Sequence, residues 1–211
     1  MSQRERGRVC AEALAFALAM SWFAAFAHRR PLAAAGGLMV AAAAVVHFAV
    51  VSRRVTQVIG LGRPGLAAGA ASAFALTLGV ALGALYRSHL GKSLLPARFM
   101  PFAATAVAIG AAEELFYRGY VQGRLSVLGA PAAVVLAALA HAAYKTTLFA
   151  LPPPGHEVNV VFLPVATFLG GIVFGGMRAL SSSILPPLIA HVCFDLVAYG
   201  DLASAPWWGW S

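Results

Sequence analysis

Long apolar segments follow one another along the 211-residue chain, separated by short polar or proline-containing stretches. They cover residues 9–27, 32–51, 66–85, 102–124, 132–151, 160–177 and 184–200. Most approach the roughly 20 residues that a helix needs to cross the hydrocarbon core of a bilayer. Their apolar residues are contiguous, without the alternation typical of barrel strands. The pattern predicts an all-α fold, a polytopic transmembrane helix bundle of about seven spans.

Composition agrees with this pattern. Hydrophobic residues make up 61% of the chain and charged residues 10%, against roughly 25% charged in an average soluble domain. We predict one integral membrane domain over residues 1–211, with N-terminal spans in 1–98, a core that carries the polar motifs in 99–200, and a short Trp-rich tail in 201–211. The basic residues before the first segment also fit a signal peptide, but the apolar run is long for one, so we expect a retained span.

The net charge of +8 comes mainly from basic residues that lie between the apolar segments. This distribution is typical of membrane topology and contact with anionic lipids, not of nucleic-acid binding. More Arg and Lys residues fall at the predicted inner ends than in the outer loops, which favours a cytoplasmic N-terminus. We therefore expect a multi-pass protein of the inner (cytoplasmic) membrane.

The fourth segment carries two adjacent carboxylates, Glu113 and Glu114, and an arginine, Arg118. Glu114 and Arg118 are four residues apart and are expected to pair, while Glu113 points roughly 100° away, on the side of Tyr117 and Tyr120. Ionisable residues inside a span are costly and usually functional, so Glu113 is the candidate for chemistry. Polar residues at 122–126 led us to expect that the end of this helix extends along the inner membrane surface.

Three further polar residues lie at a similar predicted depth: His141, His191 and Asp195. Counted from the inner ends at about 1.5 Å per residue, these groups and Glu114 lie roughly 9 to 16 Å deep. Groups at one depth on separate helices can satisfy one another only across a shared interior cavity. A glutamate there can act as general base toward water, while histidines hold the water or stabilise an oxyanion.

A zinc site is the alternative to metal-free catalysis, because two histidines with Glu and Asp are a plausible ligand set. The HExxH spacing that places two ligands and a base on one helix is absent from the sequence. We expect no cofactor, with zinc as the alternative.

The motifs resemble those of a known family. Residues 113–119 match the EExxxRG motif of the CPBP intramembrane proteases, also called the Abi or CaaX-protease type II family. His141 is similar to the histidine of the second motif, FxxxH, although Ala137 stands at the phenylalanine position. Residues 191–195 resemble the HxxxN or HxxxD motif. The likeness covers roughly residues 102–200.

The resemblance implies an intramembrane endopeptidase. On this basis Glu113 activates water with His141, Glu114 and Arg118 hold the helix and tune the site, and the pair formed by His191 and Asp195 stabilises the oxyanion. The family includes enzymes that trim CaaX ends, self-immunity proteins and the bacterial myxosortase type, proposed to remove C-terminal sorting helices. Heavy use of Ala, Gly and Arg is typical of a GC-rich bacterial genome. We therefore expect a membrane protein or peptide substrate with a C-terminal sorting or anchor helix, or a secreted peptide, rather than a CaaX protein.

Two functions of other classes fit the same polar residues. One is a non-enzymatic immunity or scaffold protein that binds a partner through the cavity. The other is a proton-coupled transporter, against which the lack of broken helices in paired halves counts. A third alternative is that Glu114 with Arg118 and His191 with Asp195, each four residues apart, are purely structural pairs.

Overall fold

The computed structural model describes residues 1–27, 30–51, 60, 66–149 and 159–203. The basic loop at 53–64, the polar loop at 156–157 and the tryptophans of the C-terminal tail lie outside these residues.

The described part of the chain consists of helices and the turns that join them, without a strand. The helices are α1 (Gln3–Ala27), α2 (Pro31–Val51), α3 (Leu66–His89), α4 (Pro101–Glu113), α5 (Ala130–Phe149), α6 (Phe162–Ser181) and α7 (Leu185–Tyr199). Between α4 and α5 the chain continues as a π-helical segment (Glu114–Val121), an α-helical turn (Gln122–Leu125) and a 3₁₀ turn (Ser126–Leu128). The predicted all-α fold is confirmed.

Four of these helices, α1, α3, α5 and α6, are long and apolar enough to cross a membrane. The apolar stretches described within α2 and α7 are shorter, Ala35–His47 and Leu185–Tyr199. Helix α4 has 13 residues before the backbone changes to the π form. The helices therefore lie where the apolar segments predicted them, but four, not seven, have the length and composition of a full span among the described residues.

Small residues allow the helices to approach closely. A Cβ added to Gly79 of α3 would lie 2.2 Å from the carbonyl oxygen of Ala190 in α7. At Gly171 of α6 it would lie 2.8 Å from Cβ of Ala138 in α5. Both contacts show that small residues let these helices pack closely. At Gly69 of α3, no described atom lies within 4 Å of the corresponding position.

The polar residues that follow the glutamate motif are packed inside the protein. Gln122 is buried, and its Nε2 donates a hydrogen bond to the carbonyl oxygen of Gly175 at 2.9 Å. Arg124 is buried and forms an ion pair with Glu12 of α1. Protein partners thus account for these polar residues, and the extension along the inner membrane surface stays a prediction. The segment ends before α5 at Gly129, whose φ is +94°.

Glu12 joins the N-terminal helices to the end of this segment. Its Oε2 lies 3.2 Å from Nε2 of His47 in α2, and its Oε1 lies 3.6 Å from Nε of Arg8. Together with Arg124, these contacts connect α1 and α2 to the turn that follows the π-helical segment. His47 is thus held in the bundle by its contact with Glu12.

A second ion pair, between Arg87 and Asp201, joins α3 to the residues that follow α7. Arg87, near the end of α3, is buried and donates to both carboxylate oxygens of Asp201 at 2.9 and 2.7 Å. Its Nε donates to the carbonyl oxygen of Ser93 at 2.6 Å. These hydrogen bonds from Arg87 hold the pKa of Asp201, which lies beyond α7, below its ordinary value. The pair ties the end of α3 to the end of α7.

Candidate active site

The six residues predicted from the sequence lie together and are all buried. They come from four parts of the fold. Glu113 is the last residue of α4, Glu114 and Arg118 belong to the π-helical segment, His141 belongs to α5, and α7 supplies two residues, His191 and Asp195.

Glu114 links Arg118 to His191. Its Oε1 lies 3.1 Å from Nη1 of Arg118 and 2.8 Å from Nδ1 of His191. A carboxylate oxygen accepts hydrogen bonds, so Nδ1 of His191 is the donor and its Nε2 is left for other groups. The predicted pairing of Glu114 with Arg118 is found, and its further contact with His191 orients that imidazole.

Arg118 also fixes His141. Its Nη1 lies 2.8 Å from Nδ1 of His141, and because a guanidinium has only donors, this nitrogen must accept. The ring proton of neutral His141 is then on Nε2, which donates to Oε2 of Glu113 at 3.2 Å. Tyr117 stacks on the same imidazole, with ring centroids 4.6 Å apart. The tautomer and the ring plane of His141 are thus both determined by the π-helical segment.

His191 approaches Glu113 from the opposite side. Its Nε2 lies 4.0 Å from Oε2 of Glu113 and 3.8 Å from Oδ2 of Asp195. Both distances are longer than a direct hydrogen bond. The two imidazoles, with ring centroids 6.4 Å apart, therefore flank one carboxylate oxygen closely enough to share a small molecule such as water.

Lys145 is a site residue to which the sequence reasoning gave no role. Its Nζ lies 2.8 Å from Oε1 of Glu113, an ion pair without the angles of a hydrogen bond. A signal was present, because Lys145 follows His141 by one helical turn and so shares its face. Lys145 and Arg118 thus bring two basic side chains to a cluster with three carboxyl groups, those of Glu113, Glu114 and Asp195.

Gly110 is the second residue that the sequence reasoning missed. A Cβ at this position would lie 2.1 Å from Oδ2 of Asp195 and 3.1 Å from Cδ2 of His191. Only a glycine lets α4 approach α7 this closely. Nothing in a single sequence distinguishes this glycine from one that merely packs helices.

The π-helical backbone was also not predicted. A regular α-helix with 3.6 residues per turn places Tyr117 and Tyr120 on the same side as Glu113. Tyr117 does lie there, but Tyr120 packs edge-on against Phe16 of α1 with ring centroids 5.6 Å apart. π-Helical turns are rare and are frequently found at functional sites.

Two cavities meet at Glu113. The first, which we call the polar cavity, has a volume of about 350 Å³ and is lined by the charged cluster together with apolar residues such as Phe102, Phe174 and Phe194. The second, which we call the apolar cavity, has a volume of about 480 Å³ and lies between α1, α2, α4 and α5. Glu113 and Ile109 line both.

The arrangement bears on the zinc alternative. Nδ1 of each histidine already has a partner, Arg118 or Glu114. Among the described residues, no three His, Cys, Asp or Glu side chains are grouped so that they could hold a metal ion. Catalysis without a metal ion remains a prediction.

The comparison with protein families finds one match. Residues 95–197 match the family described as "Type II CAAX prenyl endopeptidase Rce1-like". No curated protein and no solved structure matches the chain. The matched residues include the whole charged cluster, whereas α1, α2 and α3 lie outside them.

Proposed function

The chain belongs, through residues 95–197, to the CPBP family of intramembrane proteases, and we propose that it is an endopeptidase in which Glu113 activates a water molecule. The protein is membrane-embedded, as its family and its four long apolar helices indicate. One observation carries the proposal: Oε2 of Glu113 lies 3.2 Å from Nε2 of His141 and 4.0 Å from Nε2 of His191, beside a cavity.

Attack begins with proton transfer from water to the carboxylate of Glu113. The water oxygen forms a bond with the carbonyl carbon of the substrate, and the carbonyl electron pair moves onto oxygen. His141 donates to Glu113 through Nε2, and this hydrogen bond holds the carboxylate in place during the transfer. Arg118 acts through His141, since it keeps the donor hydrogen on Nε2.

The oxyanion then needs a donor on the other side of the site. His191 supplies it from Nε2 when the ring is protonated, because its Nδ1 is already bound to Glu114. Asp195, 3.8 Å from Nε2, stabilises the positive charge on the ring. When the intermediate collapses, the C–N bond breaks and the departing nitrogen takes the proton from Glu113. The products are a carboxylic acid and an amine.

Lys145 supports the same chemistry from the opposite carboxylate oxygen. Its ammonium group, 2.8 Å from Oε1, stabilises the ionised Glu113 that the first step requires. Oε2 of Glu114 is buried and makes no hydrogen bond with any described residue. Such an unpaired acceptor is costly in a protein interior, and bound water or a substrate N–H group would satisfy it.

The substrate is a membrane-associated protein or peptide. The matched family is named for CAAX prenyl endopeptidases. From the sequence composition we favour a substrate with a C-terminal sorting or anchor helix, or a secreted peptide, cleaved in the inner membrane by a protein whose N-terminus is cytoplasmic.

The test is a comparison of protein termini in membranes from three strains, which carry the wild type, Glu113→Gln or no copy. We expect at least one membrane-associated protein to be processed with the wild type only. Processing that continues with Glu113→Gln overturns the proposed role of this residue. A partner that co-purifies with the wild type, without any processed product, favours the scaffold alternative.

A further inference from the structure

The apolar cavity has Glu113 in its lining. Its walls come from residues of α1 and α2, such as Met20, Phe23 and Leu38, and from Phe116 and Leu148 on the other side. Its polar groups come from Glu113, Tyr117 and Tyr144. Its volume of about 480 Å³ falls within the roughly 300–1,000 Å³ of ligand sites.

Because Glu113 borders the two cavities, the apolar cavity is next to the place where the scissile bond would be attacked. Because Glu113 lines both cavities, a peptide bond attacked there has the polar cavity on one side and the apolar cavity on the other. An extended chain that passes this point must place a side chain next to the scissile bond in or beside the apolar cavity. Apolar walls bind an apolar side chain and disfavour a charged one.

The hydroxyl group of Tyr117 gives a second, independent indication that a ligand binds here. The side chain is fully buried, at 0% exposure, and its hydroxyl makes no hydrogen bond with any described residue. A buried hydroxyl without a partner is unfavourable, and a backbone group of a bound peptide would satisfy it. The stacking of Tyr117 on His141 fixes the ring, and Tyr117 belongs to the lining of the apolar cavity.

We propose that the apolar cavity is the subsite for a bulky apolar side chain adjacent to the scissile bond, and that the Tyr117 hydroxyl binds the substrate backbone beside it. The inference rests on the proposed peptidase function and names the side chain that the site selects. Two of the walls, α1 and α2, lie outside the family match at residues 95–197. The N-terminal helices of this chain therefore determine its specificity.

Neighbouring alanines on α2 provide a matched pair of variants. Ala41 is partly buried and lines the apolar cavity, whereas Ala42 is exposed on the outside of the same helix. Ala41→Leu adds volume inside the cavity, and Ala42→Leu adds the same volume outside it. Gly37→Ala is a milder change of the wall, since a Cβ there would lie 3.7 Å from Cβ of Phe23, an ordinary contact.

The experiment measures kcat/KM of the full-length purified protein in proteoliposomes. The substrates are peptides that differ only in the residue on either side of the cleaved bond, with Ala, Val, Leu, Phe or Asp at each position. At one of the two positions that flank the cleaved bond, we expect the wild-type kcat/KM to be about 10- to 200-fold higher with Leu or Phe than with Ala, the range for apolar pockets. We expect the peptide with Asp at that position not to be cleaved. Ala41→Leu should reduce this preference about tenfold or more while cleavage of the Ala peptide is retained, Gly37→Ala should reduce it less, and Ala42→Leu should leave it unchanged.

Three outcomes decide the matter. Equal cleavage of all peptides by the wild type, as expected if a lipid fills the cavity, overturns the subsite while the peptidase function stands. A uniform loss for all substrates in Ala41→Leu and Gly37→Ala, without a change in preference, also overturns it. If no peptide of the series is cleaved by the wild type, the proposed function itself fails, and the subsite with it. Tyr117→Phe should raise KM for every peptide, with a smaller change in kcat.

Discussion

Nη1 of Arg118 lies 2.8 Å from Nδ1 of His141, and this contact determines which imidazole nitrogen faces Glu113 as a donor. The same Nη1 atom lies 3.1 Å from Oε1 of Glu114. One guanidinium thus holds both halves of the charged cluster, so it positions groups that act on the substrate without touching the substrate itself.

Arg118→Lys should reduce kcat far more than it changes KM. Lysine keeps the charge but lacks the planar array of donors that reaches Glu114 and His141 together. We expect a loss of about 10²-fold or more, the lower end of the range for general acid–base groups. Arg8→Lys, at a side chain 69% exposed, is the control. A kcat for Arg118→Lys that equals the wild-type value would contradict the positioning role.

Gly110→Ala should abolish activity while the protein still inserts in the membrane. The added methyl group would lie 2.1 Å from Oδ2 of Asp195, so α7 must move away and carry His191 with it. Gly176→Ala is the control, because no described atom lies within 4 Å of a Cβ at that position of α6. Full activity of Gly110→Ala, measured by peptide cleavage, would show that the separation of α4 and α7 does not limit the reaction.

Lys145→Met should lower kcat by roughly 10- to 100-fold, below the full contribution of a general base. Methionine keeps the length and the apolar stem of the side chain but removes the charge beside Oε1 of Glu113. Lys145→Arg should retain more activity because it keeps the cation. If Met and Arg variants lose activity equally, the effect of Lys145 is packing and not charge.

Removal of divalent metals should leave cleavage unchanged. The two histidines already use Nδ1 for Arg118 and Glu114, and in the proposed water activation the general base is Glu113, with no metal ion. The measurement is peptide cleavage after dialysis against a strong chelator, followed by addition of Zn²⁺. Activity that is lost with the chelator and restored by Zn²⁺ would establish the zinc alternative.

The sequence predicted the parts of the site that depend on spacing along a helix. Glu114 with Arg118 and His191 with Asp195 follow from the i,i+4 rule, and the depth argument placed His141 beside them. The helices themselves could be predicted because apolar runs of span length are a strong signal.

The remaining features depend on contacts between segments that are distant in sequence. The ion pair of Lys145 with Glu113, the contact of Arg118 with His141 and the approach allowed by Gly110 exist only once α4, α5 and α7 are packed. Burial of Gln122 and Arg124 could not be predicted for the same reason, because polarity alone does not distinguish a membrane surface from a protein interior. The π-helical segment is a rare backbone conformation that the pattern of apolar residues does not indicate.

The most direct test is the cleavage of a defined peptide by the purified protein in water enriched in ¹⁸O, compared between the wild type, Glu113→Gln and Glu113→Asp. We predict that the wild type places one ¹⁸O atom in the new carboxyl group. Glu113→Gln should lose about 10²- to 10⁴-fold in kcat, the range for a general base, and Glu113→Asp should lose less because it keeps a carboxylate. Cleavage by Glu113→Gln at the wild-type rate would contradict the account.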